Sequence, residues 1–151
     1  VIGISLIYLI LAWALSSFKR PFAILLTIPL SLTGGILGHW FLGFDITLLS
    51  LFGFFGLVGV TVNDSIILTL RYQHLRTLHD QHTALLMSST NRLRAVILTS
   101  LTTIGGLLPL LFETSFQAQF LMPMAITIAF GLLFGTGWIL FFLPVILSYI
   151  D

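Results

Sequence analysis

The chain has 151 residues, of which 58% are hydrophobic and only 7% charged, and its mean hydropathy is +1.13. A soluble domain of this length needs far more charge on its surface, so a soluble enzyme is excluded and a polytopic membrane protein is expected, with the lipid bilayer as its first partner. The net charge of +1 supplies no nucleic-acid patch, and the lack of cysteine removes disulfide and thiol chemistry without fixing a compartment.

Residues 1–16 form a first apolar span, slightly short of the roughly 20 residues a bilayer needs. No initiator Met and no charged leader precede it, so the chain is expected to start inside a membrane segment as a piece of a longer protein. Lys19 and Arg20 mark a turn, and Pro21 suits the first turn of a second span over 21–42. Pro29 should kink that span, Gly34, Gly35 and Gly38 allow close helix approach, and His39 beside Trp40 reads as a polar residue of an interfacial belt. Gly43, Phe44 and Asp45 turn the chain into a third span over 46–70.

Residues 71–94 are strongly polar, with Leu75, Leu78, Leu85 and Leu86 near helical spacing, which predicts an amphipathic helix on the membrane surface. A fourth span covers 95–112, where Thr99, Thr102, Thr103 and Gly106 recur at i, i+3, i+4 and i+7. A fifth runs over 120–150, with Gly131, Gly135 and Gly137 for packing and Pro144 near its exit. The expected fold class is therefore all-α: one partial transmembrane domain over 1–151 with five transmembrane helices and one cytoplasmic amphipathic helix.

Orientation follows from the bases. Lys19, Arg20, Arg71, Arg76, Arg92 and Arg94 all follow spans one and three, whereas Asp45 and Glu113 follow spans two and four. The positive-inside rule makes the basic side cytoplasmic, so Val1 starts outside and Asp151 ends inside.

The third span carries one carboxylate, Asp64. On a wheel of roughly 100° per residue it shares a side with Ser50, Gly53, Gly56 and Thr61, a face suited to other helices. With Arg71 as the membrane edge, Asp64 sits on the order of 10 Å inside. An ionisable residue there reads first as part of a substrate or proton pathway; the alternative is an acid that only caps or bonds a neighbouring helix. Thr99 reads equally as a relay hydroxyl or as glue between helices, and Arg92 and Arg94 foremost as interfacial anchors.

His74, His79, Asp80 and His82 match no standard metal spacing, so no metal is expected there. An aspartyl intramembrane protease needs two facing carboxylates, and Asp45 falls at the opposite surface from Asp64.

The phrases IPLSLTGGILGHWFLGFDITLLSLFGFFGLVGVTVNDSIIL, RLRAVILTSLTTIGGLLPLLFETSFQAQFLMPMAITIAFGLLFGT and FFLPVILSYI resemble the C-terminal membrane half of the resistance-nodulation-division efflux permeases across nearly the whole chain. The resemblance implies helices eight to twelve of a twelve-helix, proton-driven inner-membrane exporter. It further implies a homotrimer with a periplasmic adaptor and an outer-membrane channel, no cofactor beyond the proton-motive force, and a need for the rest of the permease. It places the proton relay at Asn63 and Asp64 on helix ten, with Thr99 and Arg92 on helix eleven. One departure stands out: well-studied drug exporters carry a lysine where this chain has Asn63, paired with two aspartates on helix four. Asp64, bonded to Asn63 and Thr99, is then expected to exchange a proton itself as helices ten and four shift. The competing reading is a sterol-sensing-like or accessory membrane binding and assembly module without transport of its own, sterol-sensing domains belonging to the same broad superfamily.

Overall fold

The computed structural model describes residues 1–150 as five helices: α1 (Ile2–Leu15), α2 (Arg20–Leu42), α3 (Leu48–Arg76), α4 (Gln81–Phe112) and α5 (Phe116–Ile150). Only α2 to α5 are long and apolar enough to cross a membrane. This corrects the expectation of five transmembrane helices plus a separate amphipathic one in two ways. The 14 residues of α1 rise about 21 Å, short of a hydrocarbon core of roughly 30 Å. And residues 71–94 form no helix of their own.

The physical reason lies in where the leucines go. Tyr72 and Leu75 pack with Ala23, Leu143 and Leu147, so α3 continues as a buried helix to Arg76. A four-residue turn, Thr77 to Asp80, follows. Asp80 caps α4 by accepting a hydrogen bond from the Thr83 amide, and α4 then runs unbroken through to Phe112. Leu85 packs against the same core from α4, while Leu78 and Leu86 are exposed. One sequence period is thus divided between two antiparallel helices.

The other boundaries have equally local causes. Gly43 closes α2 in the left-handed conformation, with φ at 71°. Thr47 and Ser50 open α3 with a reciprocal capping box: Thr47 Oγ1 accepts from the Ser50 amide at 3.4 Å and Ser50 Oγ from the Thr47 amide at 3.1 Å. Short turns leave successive helices antiparallel. The α1–α2 turn, the α3–α4 turn and the end of α5 gather at one end of the bundle, joined by the cluster of Ala23, Tyr72, Ala84 and Leu147.

Helix α5 lies in the middle, packed against α2, α3 and α4, and α1 rests on the outside through Leu11 and Leu15 against Ile24. The tightest seam joins α2 to α5. A Cβ on Gly34 would stand 2.5 Å from Phe134 Cβ and 2.8 Å from the Phe130 carbonyl oxygen, and one on Gly38 2.5 Å from Phe130 Cγ. These two glycines let the backbones meet.

Candidate functional site

The inward face of α3 carries Ser50, Gly53, Leu57, Thr61, Asp64, Ser65, Leu68 and Thr69. Asp64 is 5% exposed. It lies 12 residues before α3 ends at Arg76, and Arg92 lies 11 residues after α4 begins at Gln81. At about 1.5 Å per residue, both stand roughly 17 Å into their helices. The antiparallel hairpin therefore brings a carboxylate and a guanidinium to one depth. Arg92 Nε and Ser89 Oγ, one turn apart on α4, are buried without hydrogen-bond partners. Polar atoms in that state are where buried water is normally held.

Asn63 and Thr99 are placed differently. Both are exposed, and the Thr99 hydroxyl donates to the Ala95 carbonyl at 2.9 Å. Thr102 is likewise exposed, so the polar stripe of α4 turns mostly away from α5, and Ser100 faces inward instead. Among the described residues no hydrogen bond joins Asp64 to Asn63 or to Thr99. Of the small residues, Gly53 sits tightly, since a Cβ there would meet the Met124 carbonyl oxygen at 2.8 Å. Gly56 leaves ordinary room before Ile128 Cδ1 at 3.9 Å, and a Cβ on Gly106 would meet nothing within 4 Å.

A ladder of hydroxyls runs between α2 and α3 beside this site. Thr61 donates to Ser31 Oγ at 3.4 Å, and Thr27 and Ser65 hydroxyls lie 3.3 Å apart. Ser31 donates to the Thr27 carbonyl, Ser65 to that of Thr61 and Thr69 to that of Ser65, at 2.8 to 2.9 Å. Thr27, Ser31, Ser65 and Thr69 give their hydrogens to carbonyls of their own helices, so the bond from Thr61 to Ser31 is the rung that ties α3 to α2, on the face that turns Asp64 inward. Spacing was the available signal: Thr27 and Ser31, and Thr61, Ser65 and Thr69, recur at intervals of four.

Two further polar contacts were missed. Ser100 and Thr136 hydroxyls bond between α4 and α5. His39, read as interfacial, is only 2% exposed, with Nε2 at 2.9 Å from Thr127 Oγ1 and Nδ1 at 3.2 Å from the Phe44 carbonyl. The Phe44 carbonyl can only accept, so the single N–H of a neutral imidazole belongs on Nδ1, and Nε2 accepts from the Thr127 hydroxyl, for which the Pro123 carbonyl at 2.9 Å is the alternative acceptor. The contact locks the end of α2 to α5 where Gly38 permits close approach.

Comparison with known proteins places this geometry in context. A profile of the AcrB/AcrD/AcrF family matches residues 1–151. The chain is 30% identical over 146 residues to the swarming motility protein SwrC of Bacillus subtilis, covering 95% of this chain and 14% of that protein. It is 29% identical over 146 residues to the cobalt-zinc-cadmium resistance protein CzcA of Cupriavidus metallidurans, covering 96% of this chain and 14% of the relative. Against the multidrug resistance protein MdtC of Edwardsiella ictaluri it is 29% identical over 155 residues, covering 99% and 15%. A crystal structure of a heavy metal efflux pump superposes with a TM-score of 0.79 at 27% identity, over 87% of this chain and 14% of that one. The chain thus spans about a seventh of the length of the relatives it matches.

Proposed function

We propose, because this chain belongs to the AcrB/AcrD/AcrF family of resistance-nodulation-division efflux permeases, secondary transporters rather than enzymes, that it forms helices eight to twelve of such a permease and carries part of its proton pathway. The supporting observation is the burial of Asp64 at the same depth as Arg92 on the antiparallel neighbour. In this reading Asp64 is the group that takes up and releases the proton. Arg92 supplies the cation that the lysine provides in well-studied drug exporters, a position held here by the neutral Asn63. Protonation would remove the attraction to Arg92, and the α3–α4 pair would then be free to shift against the rest of the membrane domain. Asn63 and Thr99, on outward faces, would meet the helices that complete the permease.

The same reading places the chain in a bacterial inner membrane as part of a multi-pass protein, with the basic turns cytoplasmic, a homotrimeric assembly, and an adaptor and outer-membrane channel as distant partners. The relatives' names span metal resistance, multidrug resistance and swarming motility, so the proposal concerns coupling and assigns no substrate. The test is Asp64→Asn in the complete transporter, reconstituted with an imposed proton gradient. Coupled export should fall by about a hundredfold, the scale of losing a positioned proton-transfer group, with expression and folding retained. Export at the parental rate would remove Asp64 from the pathway.

A further inference from the structure

Among the described residues, two side-chain hydrogen bonds fasten α4 to α5. Gln81 Nε2 donates to the Ser148 carbonyl at 2.8 Å beside the α3–α4 turn, and the hydroxyls of Ser100 and Thr136 bond to each other about five turns further along α4. The hydroxyls around Ser100 are used otherwise, since Thr99, Thr102 and Thr103 all donate to carbonyls of their own helix. The residue before Thr136 meets the other half of the hairpin. A Cβ on Gly135 would stand 2.7 Å from Ser31 Oγ and 3.7 Å from Thr61 Oγ1, so α5 offers bare backbone where the Thr61–Ser31 bond ties α3 to α2. Successive helical residues point about 100° apart, which lets one turn of α5 meet the α2–α3 pair through Gly135 and α4 through Thr136. The α3–α4 hairpin is thus held at its turn and again at this level of α5. Asp64, one turn from Thr61, and Arg92, two turns from Ser100, lie between the two fastenings.

We infer that Ser100 and Thr136 are positioning residues for the proton site: their bond sets where α4 stands against α5 and α3, and so how Arg92 faces Asp64. This rests on Asp64 as the proton carrier proposed above. Neither hydroxyl bonds to Asp64 or Arg92 among the described residues, so each acts through the placement of α4. The pull of a cation on a carboxylate falls with distance and is weakly screened in a low-dielectric interior, so a small displacement of α4 changes how readily Asp64 holds a proton. Of the helices packed around Asp64, α4 alone brings a charge to its depth. Helix α5 has no titratable side chain before Tyr149, Arg20 and His39 lie toward the two ends of α2, and Tyr8 of α1 donates to the Phe18 carbonyl.

The experiment is pH-difference infrared spectroscopy of the purified complete transporter, with Asp64→Asn identifying the Asp64 carboxyl band. Thr136→Val, which keeps the shape and removes the hydroxyl, should move the pH at which that band appears by about one unit, a tenfold change in proton affinity. Ser100→Ala should move it as far, the double variant no further, and Thr136→Ser should restore the parental value. His39→Ala loosens a different contact and should lower the unfolding midpoint while leaving the band in place. Thr136→Val and Ser100→Ala remove the same bond from opposite helices, so either decides the matter if the other fails to fold. A band at the parental pH in these variants would overturn the inference, as would an equal shift in His39→Ala, which would make the effect a general loosening of the bundle. The band is read without an imposed gradient, so it reports Asp64 whether or not export depends on it. Parental export by Asp64→Asn sinks the proton-carrier reading, whereas an unmoved band sinks only the positioning role. A parental protein in which the Asp64 band does not titrate would remove both.

Discussion

At the scale of single residues, the pairing of Asp64 with Arg92 proposed above makes a demand that neither residue would make alone. A charge buried without its partner costs about 3 kcal/mol or more, whereas removing both partners leaves no uncompensated charge. Arg92→Gln should therefore lower the unfolding midpoint of the complete transporter, and the double variant Asp64→Asn, Arg92→Gln should recover much of that loss while still failing to couple export to protons. Thermal unfolding measured beside transport separates the two effects. A double variant no more stable than Arg92→Gln would show that the groups do not compensate each other. His39 invites a second test. His39→Ala removes the imidazole from both Thr127 and the Phe44 carbonyl, and should cost about 2 kcal/mol, seen as a lower midpoint without loss of proton coupling in the remaining folded protein. Asp64 was legible in the sequence because a lone acid in an apolar run stands out; that Arg92 stands at its depth was not. The sequence distance hides that a four-residue turn brings the two to one depth. His39 was misread for a related reason: its neighbour Trp40 is exposed, but successive helical residues point about 100° apart, so an interfacial residue and a buried one can be adjacent.

At the scale of helices, the α2–α5 seam depends on backbone contact, and backbone cannot yield as a flexible side chain does. Gly34→Ala would drive a methyl group against the Phe130 carbonyl and the root of the Phe134 side chain, and should destabilise the bundle by about 1–3 kcal/mol. An unchanged unfolding midpoint would mean that this seam is looser than described. The start of α4 gives a pH-dependent test. Hydrogen bonding to Thr83, first from the side chain and then the backbone, holds the Asp80 carboxyl below its ordinary range. A group lowered in the folded state stabilises above its unfolded pKa and loses that contribution as pH falls through its folded value. Protection of the first α4 amides from hydrogen exchange should therefore decline on acidification below the ordinary carboxylate range. Asp80→Asn keeps a capping oxygen without a titrating one, and should remove the pH dependence. The same cap explains the error in the expected surface helix. Leu75, Leu78, Leu85 and Leu86 share a period, and periodicity alone does not register that Thr77–Asp80 reverses the chain between them; Asp80 followed by Thr83 was the signal for a helix start.

At the scale of the whole molecule, the even distribution of apolar residues made the membrane class legible, while which helices span depended on length and packing. The 14 residues of α1 match the others in apolarity yet fall short, and α4 keeps only 11% of its most apolar window buried, against 44% for α2. Composition does not record the difference in burial, because it arises from where each helix sits relative to the central α5. Orientation rests on a simpler asymmetry: Lys19 and Arg20 stand at the α1–α2 turn, Arg71 and Arg76 near the end of α3, and Arg92 and Arg94 in the half of α4 nearer that same end of the bundle. The absence of cysteine from this chain makes the orientation measurable. In a complete transporter with any remaining cysteines replaced, a cysteine introduced at His79 should react with a membrane-impermeant maleimide only after the cytoplasmic side is opened. One introduced at Thr114, in the α4–α5 turn, should react from the outer face of the intact inner membrane. Reversed labelling would put the basic turns outside. It would then require Asp64, 12 residues from the end of α3, to exchange its proton by the opposite route from the one proposed.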